Sequence, residues 1–311
     1  MPTAPLVRRH VALIAIGLLH ATLVWPGDIL AVYGTLGLLL LPLRRTSTKR
    51  LVLLATLLLS LPVLCWGLIG GVALFLSERV PEAQRALAGD ATLAAELSRL
   101  YGAGGDYPSF VRAQLATLTE TYFTGVVTAP AVFAAFLFGV TLARARWLHV
   151  APAHEKRWRR VRAACLFPAL AANGALAAFH FLAPPESAFD GWTIAHFVAV
   201  AIGGPSLCAI YVASAALTMG SGEPRSATTR LLAKAGRLSL SFYLMQSVIF
   251  AALFYPWGFG LASGVSVAEA EVIAVGVYAL QLAIAAFWFD RFRRGPFEQI
   301  VRAVSRWRVS L

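Results

Sequence analysis

The stretch that decides the fold is Arg8–Arg45, RRHVALIAIGLLHATLVWPGDILAVYGTLGLLLLPLRR. It holds two apolar runs, 11–25 and 27–43, parted only by Trp25-Pro26-Gly27-Asp28 and flanked on both sides by arginine pairs. Cytoplasmic loops of membrane proteins carry the excess of Lys and Arg. Both arginine clusters lie on the cytoplasmic side only if the chain crosses the bilayer twice between them. Pro-Gly is a strong turn signal, so the stretch reads as a tight transmembrane hairpin rather than one kinked span. A secretory leader is not expected, because no small-residue cleavage pattern follows the first run and Pro26-Gly27-Asp28 leads straight into more apolar sequence.

Six further apolar runs follow, at 51–76, 122–143, 163–183, 193–219, 238–256 and 268–289. Runs of about 18 or more nearly uncharged residues cross the roughly 30 Å hydrocarbon core as helices. Composition agrees: 59% of the 311 residues are hydrophobic and 14% charged, whereas a soluble domain carries about 25% charged residues. The expected fold is therefore all-α, a polytopic transmembrane bundle of eight spans with both termini in the cytoplasm. Under that parity 23 of the 27 basic residues fall on the inside. The other four, Arg79, Arg85, Arg99 and Arg112, lie in the external loop 77–121. The chain divides into a three-span segment 1–76, that loop, a central three-span segment 122–219 and a two-span segment 220–311 with an amphipathic tail. Within the loop, Pro81 to Leu100 suits a surface helix and Tyr101 to Pro108 a turn. The tail 296–311 is expected on the inner membrane surface, its arginines toward anionic head groups. The net charge of +12 therefore points to membrane lipid and not to nucleic acid. Cys65, Cys165 and Cys208 all fall inside apolar runs, so neither a disulfide framework nor a metal-type spacing is read.

Polar groups at membrane depth are expensive and usually face the bundle interior. Depth counted at about 1.5 Å per residue from the loops puts His20, His180 and His196 at similar shallow levels below the outer face. Asp28 sits just beyond His20, and a His with a carboxylate partner suits general acid–base work. The three histidines lie on separate runs with no i, i+4 pair, so no metal site is expected. Asn173, Gln246 and Gln281 fall near the midplane, where amides either hydrogen-bond between helices or line a polar passage. At the inner mouth, Gly236-Arg237-Leu-Ser-Leu-Ser-Phe-Tyr243-Leu-Met-Gln246-Ser247 opens the seventh run. Asp290-Arg-Phe-Arg-Arg294-Gly-Pro-Phe-Glu298 closes the eighth. Two readings stand for this mouth: an Arg–Glu clamp between helix ends, or a phosphate-binding site built on Arg237 and Arg294 with Glu298 beside them.

The pattern Gly-Arg-x-x-Leu-x-x-Tyr-x-x-Gln-Ser (236–247) and the pattern Arg-Arg-Gly-Pro-x-Glu (293–298) resemble the C-terminal signature of the YeiB-like family of bacterial membrane proteins, domain of unknown function 418. The segment Gly17-Leu-Leu-His20, with Trp25, Gly27 and Asp28, is similar to that family's central hairpin. Members usually begin with another helix carrying Asp-x-x-Arg-Gly and a second span rich in Phe and Gly. This chain reaches Arg8-Arg9 where those two helices end, and is expected to be a short form, a fragment or a sequence with a late start.

The resemblance implies a place in the bacterial cytoplasmic membrane and a distant similarity to acyltransferases that pass an acyl group across the membrane. On that reading Arg237 and Arg294 hold the phosphates of an acyl-coenzyme A co-substrate. His20, supported by Asp28, is the base near the outer face, and Tyr243 and Gln246 line the passage. The acceptor is a small molecule, lipid or glycan. Older descriptions of the family favour transport, so an exporter with the midplane amides as its binding site stands as the alternative, beside a non-catalytic membrane subunit. Gly203-Gly204-Pro205 is the only break read inside a run, and no convincing internal repeat accompanies it.

Overall fold

The computed structural model describes residues 3–77, 105–148, 150–182, 191–219 and 226–307, and every regular element among them is helical. In chain order these are α1 (Thr3–Leu23), α2 (Leu30–Leu43), α3 (Thr48–Ser77), α4 (Tyr107–Arg144), α5 (Glu155–Leu182), α6 (Gly191–Met219), α7 (Ala227–Gly236), α8 (Ser239–Phe254), α9 (Val267–Arg291) and α10 (Pro296–Arg306). Short 3-10 turns occupy Ala151–His154 and Leu261–Ser263.

Each of the eight apolar runs lies on a helix. Among the described residues, five segments are long and apolar enough to cross a membrane: Thr3–Leu23, Thr48–Val72, Ala151–Phe179, Ile194–Thr218 and Val267–Arg291. The pair α7 and α8, bent by 79°, makes a sixth if it counts as one span, and Leu30–Leu43 and Ala129–Arg144 are shorter apolar helices. Outward-facing side chains are apolar to a degree that water does not tolerate. Phe167 is 80% exposed and Phe287 74% exposed. Contiguous apolar surface of this kind marks contact with lipid or partners, and here it runs along helices of spanning length.

Two helical stretches exceed the expectation. Helix α4 starts at Tyr107, so the last part of the expected loop 77–121 is helical. The cause is local: the Asp106 carboxylate accepts from the Ser109 N–H at 2.9 Å, an N-cap bond that satisfies one of the helix's free donors. The segment 225–237, expected as a loop, contains α7, opened by a reciprocal capping box between Ser226 and Thr229. The surface helix expected over 81–100 lies outside the described residues.

The chain groups into two compact units, one of residues 1–42, 92–124 and 224–311 and the other of 43–91 and 125–223. In the first, α1 and α2 form the hairpin. Gly17 is one of their close approaches: a Cβ there would strike the Ala31 backbone nitrogen and stand 2.5 Å from the Asp28 carboxylate. Helix α10 packs against α1, where Ser305 Oγ donates to the Pro5 carbonyl at 3.0 Å and Arg8 donates to that of Trp307. The tail helix thus has protein, and not only membrane surface, on one side. Phe110, Ala251 and Tyr255 form a buried apolar cluster with Trp257 against it. Tyr107 pins the start of α4 by donating to the Leu23 carbonyl at 2.9 Å.

In the second unit α6 packs against both α5 and α3. Trp66 stacks on Phe197 with centroids 4.0 Å apart, and Trp158, Ala213 and Ala216 form the buried cluster at the other end of these helices. The Arg144 guanidinium forks to two carbonyls, those of Thr46 and Arg44, each at 2.6 Å. That bond set ties the end of α4 to the turn before α3.

Candidate functional site

The hairpin turn builds the site. Asp28 stands at the mouth of α2, where its Oδ2 accepts the Ala31 N–H at 2.8 Å. A carboxylate at a helix N-terminus satisfies an otherwise free donor and meets the positive end of the helix dipole. Its other oxygen, Oδ1, lies 3.0 Å from His20 Nδ1 on the last turn of α1. Both side chains are buried, at 2% and 0% relative exposure.

A third residue completes the cluster. The Tyr243 hydroxyl of α8 donates to Asp28 Oδ1 at 3.3 Å and accepts the Ile29 N–H at 3.2 Å. Its ring centroid is 5.0 Å from that of His20, and Trp25 meets the imidazole edge-on at 6.5 Å. Asp28 accepts from a backbone N–H and a phenol, and with Asp28 as the acceptor of the third bond too the histidine's Nδ1 carries the proton. This assignment follows from the network. It leaves Nε2 as the free lone pair. Nε2 is buried and has no hydrogen-bond partner among the described residues. Leaving a buried polar atom unpaired costs about 1–3 kcal/mol, a cost that functional sites commonly carry.

The depth count separates Tyr243, near the inner mouth, from His20 and Asp28, near the outer face. The structure joins them. The count treats each helix as upright from its flanking loop, and the 79° bend between α7 and α8 breaks that assumption for α8. Tyr243 therefore belongs with the histidine and aspartate. Gln246 is half-buried one turn further along α8. Gln281 crosses from α9 to α8, its Nε2 donating to the Phe242 carbonyl at 2.9 Å, which is the interhelical role of a membrane amide. Asn173 lies in the other unit, where its Nδ2 donates to Ala169 of its own helix at 2.8 Å. His196 is exposed in that same unit. Among the described residues no three His, Cys, Asp or Glu side chains converge as metal ligands would.

At the second motif the Arg–Glu clamp is replaced by a different device. Glu298 Oε1 accepts from the N–H groups of Leu240 at 2.9 Å and Ser241 at 3.0 Å, and Ser241 Oγ donates to Oε2. Ser241 Oγ in turn accepts the Phe297 N–H at 3.2 Å. The N-termini of α8 and α10 face each other, and each lends the other a cap. The physical reason is that free N–H groups at a helix start attract a carboxylate directly, so Glu298 is taken before an arginine can claim it. Gly295 makes room: a Cβ there would strike Glu298 and come 2.7 Å from Ser241 Oγ. The sequence places Ser241 on one helical face with Arg237 but gives it no role of its own; its place in the first turn of α8, two residues after Ser239, is the available signal.

Glu298 is thus engaged by α8 and by neither arginine. Arg237 donates to the Arg293 carbonyl at 3.0 Å and lies over the Phe289 ring at 4.3 Å. Arg294 is exposed, with its carbonyl held by Trp288 Nε1 at 2.9 Å.

Fold and site together define an all-helical membrane protein with a buried His–Asp–Tyr cluster. A family model described as "Protein of unknown function (DUF418)" matches residues 142–308, more than half of the chain, and the chain belongs to that family. The matched region takes in both C-terminal motifs, with Tyr243, Ser241 and Glu298. The Bacillus subtilis (strain 168) protein YxaH, described as uncharacterized, is 28% identical over 311 aligned residues, covering 96% of this chain and 71% of YxaH. No solved structure matches the chain.

Proposed function

We propose that the protein is a membrane acyltransferase-like enzyme of the bacterial cytoplasmic membrane, with His20 as its general base. The observation that carries this reading is the buried His20–Asp28 pair with Nε2 left unpartnered. Asp28 holds the imidazole tautomer and orientation, as in nucleophile-activating dyads elsewhere. Nε2 takes the proton of an acceptor hydroxyl while that oxygen attacks the acyl carbonyl of a thioester. As the thioester C–S bond breaks, the proton passes to the leaving thiolate. Tyr243 fixes Asp28 from the opposite side, and a phosphate-bearing substrate meets the exposed cations Arg237 and Arg294.

The test is transfer of labelled acyl groups from acyl-coenzyme A to acceptors in membranes containing the chain. His20→Ala and Asp28→Ala are each expected to lower the rate by 100-fold or more, the usual worth of a positioned base. Unchanged transfer in both variants removes the chemistry from this site.

A second reading is transport, favoured by the 79° break between α7 and α8, since discontinuous helices line many transporter sites. It predicts solute flux in vesicles that needs no acyl donor and survives His20→Ala.

A further inference from the structure

Helices α8, α9 and α10 enclose a groove of about 370 Å³ between Leu238, Phe242, Met245, Ile249, Ile284 and Trp288. Apart from Ser241, already engaged by Glu298, the walls offer no polar side chain. The groove belongs to the face of α8 that carries residues 238, 241, 242, 245 and 249. Tyr243, which reaches the His–Asp pair, stands on another face of that helix.

Arginines flank the lining residues along the chain. Arg237 directly precedes the wall residue Leu238, and Arg294 stands two positions before Pro296, which also lines the groove. Trp288, a wall residue, grips the Arg294 carbonyl. Arg291 and Arg293 are exposed on the same turn. The one carboxylate of α10, Glu298, is spent on the helix caps. Desolvation, and then the charges of Arg294 and Arg306, lower the proton affinity of Arg302 further along α10.

We propose that this groove is a binding site for an anionic phospholipid of the surrounding bilayer, one acyl chain lying between α8, α9 and α10 and the phosphate on Arg237 and Arg294. An apolar slot bordered at once by arginines fits a molecule whose phosphate and chain are adjacent. In a phospholipid only the glycerol separates them. In an acyl-coenzyme A the whole pantetheine arm intervenes, so phosphates on these arginines would carry the chain past the slot. Arginine also suits phosphate oxygens by its forked donors. Lipid binding does not need the acyl-transfer reading; that the lipid is a substrate does.

Native mass spectrometry of the detergent-purified chain tests the site, with phosphatidylglycerol, phosphatidylcholine of the same chains, and palmitoyl-coenzyme A as probes. Phosphatidylglycerol is expected to bind in preference to the other two. Arg237→Gln and Arg294→Gln, both exposed changes, should each reduce that preference about fivefold, the worth of one arginine at an anionic head group. Ile249→Trp fills the slot and should lower binding of both phospholipids, while size-exclusion and thermal midpoint report its folding. Equal binding of the two phospholipids, or arginine variants without effect, overturns the proposal. Tighter binding of palmitoyl-coenzyme A, lost in Arg294→Gln, overturns it in favour of a thioester site. Acyl transfer and lipid binding measured on His20→Ala, a residue that does not line the groove, tell the two readings apart: loss of transfer with lipid preference kept leaves the lipid site standing on its own.

Discussion

Replacing Gly295 by alanine drives a Cβ into Glu298 and toward Ser241 Oγ, where both are committed to helix caps. Crowding of this kind costs about 1–3 kcal/mol, and a lowered thermal midpoint in detergent is the expected readout; an unchanged midpoint means the caps move aside. Ser241→Ala acts at the same junction by leaving the Phe297 N–H and one Glu298 oxygen without their partner. A loss of about 1–3 kcal/mol follows. Tyr243→Phe removes the hydroxyl shared by Asp28 and the Ile29 N–H. Activity should fall with little change in expression. An activity identical to wild type would leave Tyr243 as packing alone. His20 and Asp28 were legible as a pair because eight residues and one turn separate them. Tyr243 was not legible as their partner: it lies more than 200 residues away, and counting depth along an upright helix set it apart from them.

At the scale of elements, long apolar runs announce helices reliably because only a helix satisfies a lipid-embedded backbone within a single segment. The helices that composition hid are those whose starts depend on a few polar atoms. Helix α4 begins early because of Asp106. Hydrogen bonds from the Ser109 side chain, then its backbone N–H, hold the Asp106 carboxyl below the usual carboxylate range. Because the folded value is depressed, the cap contributes fully above the unfolded value and is lost as pH falls through the folded one. A carboxyl-carbon titration of Asp106 should therefore find its midpoint below that of a free aspartate, and Asp106→Asn should abolish the transition. A midpoint at or above the ordinary value contradicts the cap. Helix α7 escaped notice for a related reason. Its ten residues are amphipathic and charged, so a search for apolar runs steps over them, whereas the Ser226–Thr229 box marks the start. The two C-terminal motifs were visible as motifs, but their physical content, two helix N-termini capping one another, appears only when α8 and α10 are brought together.

For the whole molecule, the charge pattern predicts both termini in the cytoplasm, with the arginine-rich turns of residues 44–50 and 291–294 on the same side. A fluorescent-protein fusion at Leu311 should be bright and an alkaline phosphatase fusion there inactive; the opposite pair of results reverses the topology. That orientation matters for the chemistry, since it sets which side of the membrane supplies each substrate. The account rests most heavily on His20 acting through its unpartnered Nε2 rather than serving only to hold the hairpin. His20→Asn separates these roles, because the asparagine amide can still donate to Asp28 from the position of Nδ1 while nothing replaces Nε2. The decisive measurement is acyl-transfer rate and thermal midpoint on this one variant. The account predicts a midpoint unchanged or raised, since a buried unpaired atom is removed, together with a rate lowered at least 100-fold. A variant that keeps its rate would contradict the account and return His20 to a structural part of the α1–α2 hairpin.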